Sequence, residues 1–303
     1  MSIIRKDTKH PKFVFFGTPL IAVKVLDKLE NAGLLPELIV TGLDKPQGRS
    51  FVMTPPPVKV WAEEKSIPVW QPEYLNSSAS ESPISDKEWD LFVVFAYGKI
   101  LPTWLINTPK YKTINLHPSL LPKLRGPNPI RATILNNDRE TGVTIILLDE
   151  KMDHGPILAQ KKVLISEEDW PPYGPALDDI LVNAGASLLA ETIPAWCEGE
   201  IKPIPQNHDR ATFCEKMNRS SGQLDLNPLA LPSGEKAFES LTLIRACDGW
   251  PGTFFVHEGR RVKVLDAEID NNDALVIKTV TPAGAKTMPY SEYLKSIKQS
   301  KKT

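Results

Sequence analysis

A nearly continuous apolar run at residues 90–96, DLFVVFA, limits most strongly what this chain can fold into. Such a strand has no polar face, so other parts of the protein must cover both of its sides, as helices do in parallel sheets. Further apolar runs alternate with segments whose apolar residues recur at helical spacing. The strand-like runs are 12–16, 37–41, 113–116 and 141–149, and the helix-like segments are 20–32, 58–65 and 100–105. This alternation predicts an α/β fold with a Rossmann-like parallel sheet.

A proline-bearing segment at residues 203–207, PIPQN, separates two differently patterned parts of the chain. Before it, residues 156–165 are strand-like and residues 175–198 have the pattern of a long helix. After it, short strand-like runs are separated by Gly or Asn-Asn-Asp turns, namely 254–256, 261–265 and 274–280. That spacing indicates a small antiparallel barrel. We therefore predict an N-terminal domain of residues 1–205 and a C-terminal domain of residues 206–303.

Composition narrows the class of protein. The chain has 303 residues, of which 41% are hydrophobic and 24% charged, and its formal net charge is −1. These values are typical of a soluble globular protein and give no global sign of a nucleic-acid partner. The three cysteines, Cys197, Cys214 and Cys247, match no zinc-binding spacing, so we expect free thiols and no metal. The N-terminus, MSIIRKDTKHPKF, lacks the apolar core of a signal peptide, and no apolar run approaches the roughly 20 residues that cross a bilayer. We expect a cytoplasmic protein.

Polar residues interrupt the strand-like run that begins at residue 113, TINLHPSLLP. Asn115 and His117 alternate with Ile114 and Leu116, which places the two polar side chains on one face of a strand. A lone histidine is more often structural than catalytic. Two polar side chains at the carboxyl end of a strand in a parallel sheet, followed by a proline-flanked loop, favour a ligand-binding or catalytic role.

An acidic loop, DEKMDHG, follows the next strand-like run and contains Asp153, 38 residues after Asn115. By itself, this loop has the composition of a solvated turn. Neighbouring parallel strands would bring it alongside Asn115 and His117. A carboxylate there could hold the imidazole in one tautomer and favour its protonated form.

Several stretches, taken in order, resemble the folate-dependent formyltransferases. The run INLHPSLLP and its distance to Asp153 are similar to the Asn–x–His…Asp site of that family. LRGPNPIRATILNNDRETGVTIILLDEKMDHGPIL, VFFGTP, VVFAYGKILP and CDGWPGTFF also match, so the resemblance spans nearly the whole chain. The segment TGLDKPQGRSFVMTPPPVKVWAEEKSIPVWQP is similar to the branch whose acceptor is the methionine of initiator Met-tRNA.

The resemblance implies a formyltransferase domain that uses 10-formyltetrahydrofolate without a metal, followed by a small OB-like barrel that contacts tRNA. The implied catalytic residues are Asn115, His117 and Asp153. The implied folate-binding residues are Ser119, Leu120, Leu121 and Pro122 together with Phe95, Ala96, Tyr97 and Gly98. The basic residues that we expect to contact tRNA are Lys45, Arg49, Lys59, Arg260, Arg261 and Lys263.

Two departures from the family pattern bear on the acceptor. Lys45 stands where the family usually has Arg, which keeps the positive charge but loses the planar fork of donors. The chain also skips strands of the family's barrel after residues 264–268, so we expect a shortened barrel. An amino-sugar nucleotide is the alternative acceptor; a folate- or RNA-binding module without activity and a formyltetrahydrofolate hydrolase are two further readings. We expect a monomer.

Overall fold

The computed structural model describes residues 11–48, 50–75 and 82–300. The expectations for Arg49 and for the first ten residues lie outside this part of the chain. The chain forms two compact units. The first contains the described residues up to Pro127, Thr141–Val163 and Asp179–Phe213, and the second contains Asn128–Glu140, Leu164–Asp178 and the residues from Cys214 onward. The boundary after Pro205 stays a prediction.

Helices are interspersed among strands along the first two thirds of the chain. They are β1 (Phe13–Phe16), α1 (Leu20–Asn31), β2 (Leu38–Val40), β3 (Lys45–Gln47), β4 (Val52–Thr54), α2 (Pro57–Glu64), β5 (Val69–Trp70), β6 (Leu91–Val94), α3 (Thr103–Asn107), β7 (Thr113–His117), α4 (Pro129–Leu135), β8 (Glu140–Leu147), β9 (Ile157–Leu164) and α5 (Gly174–Cys197). The remainder forms α6 (Glu235–Ala246), β10 (Thr253–His257), β11 (Arg260–Ile269), β12 (Leu275–Pro282), β13 (Met288–Pro289) and α7 (Tyr290–Ser300).

The sheet of the first unit has the strand order β5-β2-β1-β6-β7-β8-β9. Neighbouring strands from β5 to β7 run parallel, which confirms the predicted α/β class. In contrast, β8 runs antiparallel to β7, with His117 opposite Thr144 and Ile114 opposite Leu147. The predicted parallel sheet is therefore mixed, with parallel pairs predominating and this pair antiparallel. A parallel pair needs a crossover that packs back onto the sheet, whereas α4, between these strands, belongs to the second unit and contacts α6.

The two faces of β7 have different neighbours. Leu116 packs against α5 at Gly185, where an added Cβ would lie 2.8 Å from Leu116 Cδ1. Because side chains alternate along a strand, Asn115 and His117 lie on the opposite face. The lack of a side chain at position 185 therefore lets α5 approach the apolar face of β7 and leaves the polar face for the site.

The long helix α5 is the one helix in the described part of the chain whose length and composition would allow it to cross a membrane. The expectation that no apolar run approaches a membrane span therefore has this exception. Several of its apolar residues have no exposed surface, namely Leu181, Ala186, Leu189 and Ile193. Their burial against the first unit is that of a core helix.

The second unit contains the antiparallel sheet β10-β11-β12-β13, on which α6 and α7 pack. This confirms the antiparallel sheet expected in the C-terminal part. Its core combines strand and helix residues, among them Leu241, Phe255, Val262, Ile277 and Tyr293.

The aromatic core of the first unit gives a test of the packing. Phe92 on β6 is 0% exposed, and its ring centroid lies 5.4 Å from that of Phe16 and 6.4 Å from that of Trp89. We expect Phe92→Ala to lower the free energy of unfolding by about 3–5 kcal/mol because it leaves a cavity. Phe213 is 71% exposed, and Phe213→Ala should change the free energy of unfolding by less than about 0.5 kcal/mol. Urea denaturation measures both variants, and equal midpoints would contradict the packing described here.

Candidate active site

The strand β7 presents Asn115 and His117 on the same face of the sheet. Asn115 lies between Val94 of β6 and Ile146 of β8, and its side chain is half-buried. His117, at the last residue of the strand, is only 4% exposed. The predicted alternation along this strand is therefore confirmed, and it brings an amide and an imidazole to one surface.

The ring of His117 is held at both nitrogens. Nε2 lies 2.9 Å from the carbonyl oxygen of Leu124. A carbonyl oxygen only accepts hydrogen bonds, so Nε2 must carry a proton. Nδ1 lies 3.5 Å from Oδ1 of Asp153, an ion-pair distance that is long for a hydrogen bond. The nitrogen that can gain or lose a proton is therefore Nδ1, beside the carboxylate.

Asp153 lies in the loop between β8 and β9. Its Oδ2 accepts a hydrogen bond of 2.8 Å from the backbone N–H of Gly126, and its φ of 50° lies in the left-handed region. Leu148, at the start of this loop, donates to the carbonyl of Thr113 at the first residue of β7. Asp153 reaches His117 at the last residue of β7, so the loop runs back along the strand. The predicted proximity is confirmed, but its reason is a returning loop and not a parallel neighbour.

The loop after β7 carries four of the predicted folate-binding residues. Ser119 and Leu121 are buried, while Leu120 and Pro122 are partly exposed. The Oγ of Ser119 donates to the carbonyl of Lys123 at 2.7 Å, and the N–H of Leu121 donates to Oγ1 of Thr144 at 3.2 Å. These bonds hold the loop in one shape, so its exposed side chains have fixed positions.

The other predicted folate-binding residues follow β6, the parallel neighbour of β7. Phe95 and Tyr97 are buried, whereas Ala96 and Gly98 are exposed and have positive φ values of 51° and 83°. Burial raises the pKa of Tyr97 to about 12, so its hydroxyl keeps its proton at neutral pH. That hydroxyl has no hydrogen-bond partner among the described residues. Both predicted segments lie at carboxyl ends of adjacent parallel strands, where open α/β sheets bind ligands.

Two predicted tRNA contacts of the first unit, Lys45 and Lys59, lie on and beside the β3–β4 hairpin. Lys45 is exposed on β3, and Phe51, at the turn, is 76% exposed. Lys59 instead contacts both carboxylate oxygens of Asp44, at 2.8 and 3.0 Å. Hydrogen bonds from Lys59 and then Gln71 lower the pKa of Asp44, so this ion pair is present at neutral pH. Lys59 is therefore engaged within the protein and is less available to a phosphate than Lys45.

The predicted tRNA contacts of the second unit lie on β11. Arg260 and Lys263 are exposed, and Arg261 lies over the ring of Phe254, with 3.5 Å between its guanidinium carbon and the ring centroid. Arg261 and Lys263 alternate with the buried Val262, so they point away from the core of this unit.

Sequence reasoning missed a buried polar network beside Asp153. Arg125 is 4% exposed and donates to Oε1 of Gln206 and, at 2.8 Å, to Nδ1 of His208. The ring of His208 stacks on that of His154 at 4.0 Å. Burial, then His154 and Arg125, lower the pKa of His208, which favours the neutral form that can accept from Arg125. The only sequence signals were the arginine of LRGP and the glutamine of PIPQN, which lie 81 residues apart.

The described residues contain no group of three or more His, Cys, Asp or Glu side chains arranged to hold a metal ion. An amide can donate to a developing negative oxygen, and an imidazole paired with a carboxylate can move a proton.

Comparison with known proteins shows the family to which the chain is similar. The model of the family described as formyl transferase matches residues 11–171. The methionyl-tRNA formyltransferase of Halalkalibacterium halodurans is 41% identical over 257 residues, which cover 85% of this chain and 78% of that protein. That of Geobacillus thermodenitrificans is 38% identical over 93% of both chains.

Solved structures share the fold. HypX from Aquifex aeolicus in complex with tetrahydrofolic acid has a TM-score of 0.65 at 15% identity, covering 94% of this chain; the chain spans about half, 47%, of HypX. An N-formyltransferase from Helicobacter canadensis, in complex with folinic acid and dTDP-3-aminofucose, has a TM-score of 0.62 at 17% identity over 92% of this chain and 100% of its own.

The hydrogen bonds of the histidines predict their tautomers. In the neutral imidazole, we expect His117 and His208 to carry the proton at Nε2, because Nε2 of His117 donates to Leu124 and Nδ1 of His208 accepts from Arg125. His154, whose Nδ1 lies 2.7 Å from the Asp149 carboxylate, should instead carry its proton at Nδ1. Long-range ¹H–¹⁵N NMR spectra distinguish the two forms. An unprotonated Nε2 in His117 would contradict the bond to Leu124.

Proposed function

Since the chain belongs to the formyl transferase family, we propose that it transfers the formyl group of 10-formyltetrahydrofolate to the amino group of methionine on initiator tRNA. The observation that carries this proposal is the ring of His117, held between a backbone carbonyl and the Asp153 carboxylate on the strand face that presents Asn115. The relatives named methionyl-tRNA formyltransferase support the choice of acceptor, because they are similar over most of the chain.

Attack by the methionine amine begins the reaction. The pKa of an α-amine is about 7.7–8.0, so part of it is neutral and nucleophilic at physiological pH. Its nitrogen forms a bond to the formyl carbon, and the carbonyl oxygen becomes negative. In this proposal the Asn115 amide donates a hydrogen bond to that oxygen. One such donor typically contributes about 10²–10³ in rate.

Collapse of this intermediate breaks the bond between the formyl carbon and N10 of the folate. The attacking amine loses a proton and N10 gains one, so no net proton is consumed. Nε2 of His117 is bonded to Leu124, which leaves Nδ1 and the Asp153 carboxylate to carry the proton. Asn115, His117 and Asp153 are the catalytic residues in this proposal.

The two strand-end loops supply the folate site. We assign the donor to the segments that follow β6 and β7, with Phe95, Ala96, Tyr97 and Gly98 on the first and Ser119, Leu120, Leu121 and Pro122 on the second. The fixed positive-φ backbone at Ala96 and Gly98 suits a ligand that lies against the main chain.

The acceptor contacts are assigned to the β3–β4 hairpin and to β11. Lys45, Arg260, Arg261 and Lys263 supply positive charge for tRNA phosphates, with Arg49 and Lys59 as further members of the set. The antiparallel sheet of the second unit would be a shortened OB-like barrel. A monomer in the cytoplasm, where initiator tRNA is charged, fits this function.

Replacement of the catalytic residues tests the chemistry. We expect Asn115→Ala, His117→Ala and Asp153→Asn each to lower the single-turnover rate of formyl transfer by at least about 10² because each removes transition-state stabilisation or proton transfer. The assay uses 10-formyltetrahydrofolate and charged initiator tRNA. Asn183→Ala, at an exposed residue of α5, is the control and should keep the wild-type rate.

Wild-type rates in all three variants would remove the catalytic assignment. Parallel assays with amino-sugar nucleotides separate the two acceptors. Transfer to a sugar nucleotide without transfer to Met-tRNA would favour the alternative function, and formate release without any amine would indicate hydrolysis.

Salt dependence tests the acceptor surface. We expect Lys45→Ala and Lys263→Ala each to weaken binding of initiator tRNA and to reduce the slope of log K against log salt by about 0.7–0.9, because each removes one phosphate contact. Lys28→Ala, at an exposed residue of α1, should leave the slope unchanged. Slopes equal to that of the wild type in both variants would exclude these contacts.

A further inference from the structure

The buried side chain of Gln206 connects the two sides of the candidate active site. Gln206 is 5% exposed. Its Nε2 donates to the carbonyl of Asp153 at 2.9 Å and to the carbonyl of Gly155 at 2.8 Å. Its Oε1 accepts from Nε and Nη2 of Arg125, at 3.2 and 2.7 Å. In these four contacts both the N–H donors and the oxygen acceptor of the amide are hydrogen-bonded.

An amide matches the surrounding groups. The guanidinium of Arg125 presents donors, and the two carbonyls present acceptors. A carboxylate would satisfy Arg125 but would place an acceptor against the two carbonyls, and an apolar side chain would satisfy neither. The chemistry of the neighbours also fixes which end of the amide is oxygen.

The backbone around Arg125 touches both members of the proton-transfer pair. The carbonyl of Leu124 accepts from His117, and the N–H of Gly126 donates to Asp153. The Arg125 side chain is bonded to Gln206 and His208. Gln206 therefore holds the Asp153 loop directly and the 124–126 segment through Arg125.

The Asp153 loop needs such support. Asp153 has a positive φ of 50°, which is uncommon for a residue with a side chain, although Asp adopts it more readily than most. Gly155 lies so close to Leu147 that an added Cβ would overlap its carbonyl oxygen. A loop of this shape keeps its geometry only where the surroundings determine it.

We propose that Gln206 is a positioning residue for formyl transfer, which sets the separation of the Asp153 carboxylate and the His117 ring. The inference rests on the proposed function of that pair. A displacement of about 1 Å at a catalytic group can cost about 10² in rate, so loss of the Gln206 amide should act on turnover more than on substrate binding.

Two substitutions separate positioning from stability. Gln206→Glu keeps an acceptor for Arg125, now charged, and removes both donors to the Asp153 loop. We expect it to stay folded but to melt at a lower temperature, because the acceptor for Arg125 is kept while two buried hydrogen bonds are lost. Its kcat should fall about 10–100-fold, while KM for folate and for Met-tRNA changes less than about threefold. Gln206→Met also deprives the buried Arg125 of its acceptor, so its stability should fall as well.

The matched control is Gln223→Glu, the same change at an exposed glutamine, which should keep the wild-type kcat. A wild-type kcat in Gln206→Glu overturns the inference, and so does a loss of activity that follows only a loss of folded protein. If the wild-type enzyme does not formylate Met-tRNA, the proposed function fails instead. The NMR signal of the His117 ring then still tests the positioning role, because it should change in Gln206→Glu and not in Gln223→Glu.

Discussion

Two backbone groups that flank Arg125 determine the geometry of the candidate active site. The carbonyl of Leu124 forces a proton onto one nitrogen of His117, and the N–H of Gly126 fixes one oxygen of Asp153. The remaining nitrogen and the remaining oxygen then face each other. Backbone groups do this better than side chains, because they have no rotamers to lose and no charge to desolvate. The geometry of the His117–Asp153 pair therefore depends on the position of residues 124–126.

That segment is itself held through a buried cation. Arg125 lies among neutral partners, and a buried charge without hydrogen bonds would be costly. Gln206 and His208 accept its donors, and the backbone of residues 124 and 125 donates to the side chain and carbonyl of Thr212. The stretch around residues 206–212 is therefore part of the first unit, although its sequence has the composition of a linker.

The local pattern of apolar and polar residues was sufficient to predict β7 and the face on which its polar side chains lie. Alternation in TINLHP correctly placed Asn115 and His117 on one face, because the period of a strand is two whatever its neighbours are. The direction of β8 was beyond such reasoning, since apolar runs look alike in parallel and antiparallel pairs. Asp153 was identified from its family spacing, while the physical reason given for its position was wrong. Positive charge alone likewise predicted that Lys59, as well as Lys45, contacts tRNA. In the structure, Lys59 instead forms an ion pair with Asp44.

The role of Gln206 could not be predicted from the sequence for a different reason. Its hydrogen-bond partners are distant in sequence, and two of them are backbone carbonyls. Ile204 and Ile157 form an isolated antiparallel bridge, with N–H to carbonyl distances of 2.7 and 2.8 Å. In that register, position 206 lies opposite position 155, where Gln206 meets the carbonyl of Gly155. A slip of one residue would turn the glutamine to the other face. Pro203 and Pro205, on either side of Ile204, restrict the backbone at this point. The prolines that mark a linker in the sequence thus help to fix the register that brings Gln206 to the Asp153 loop.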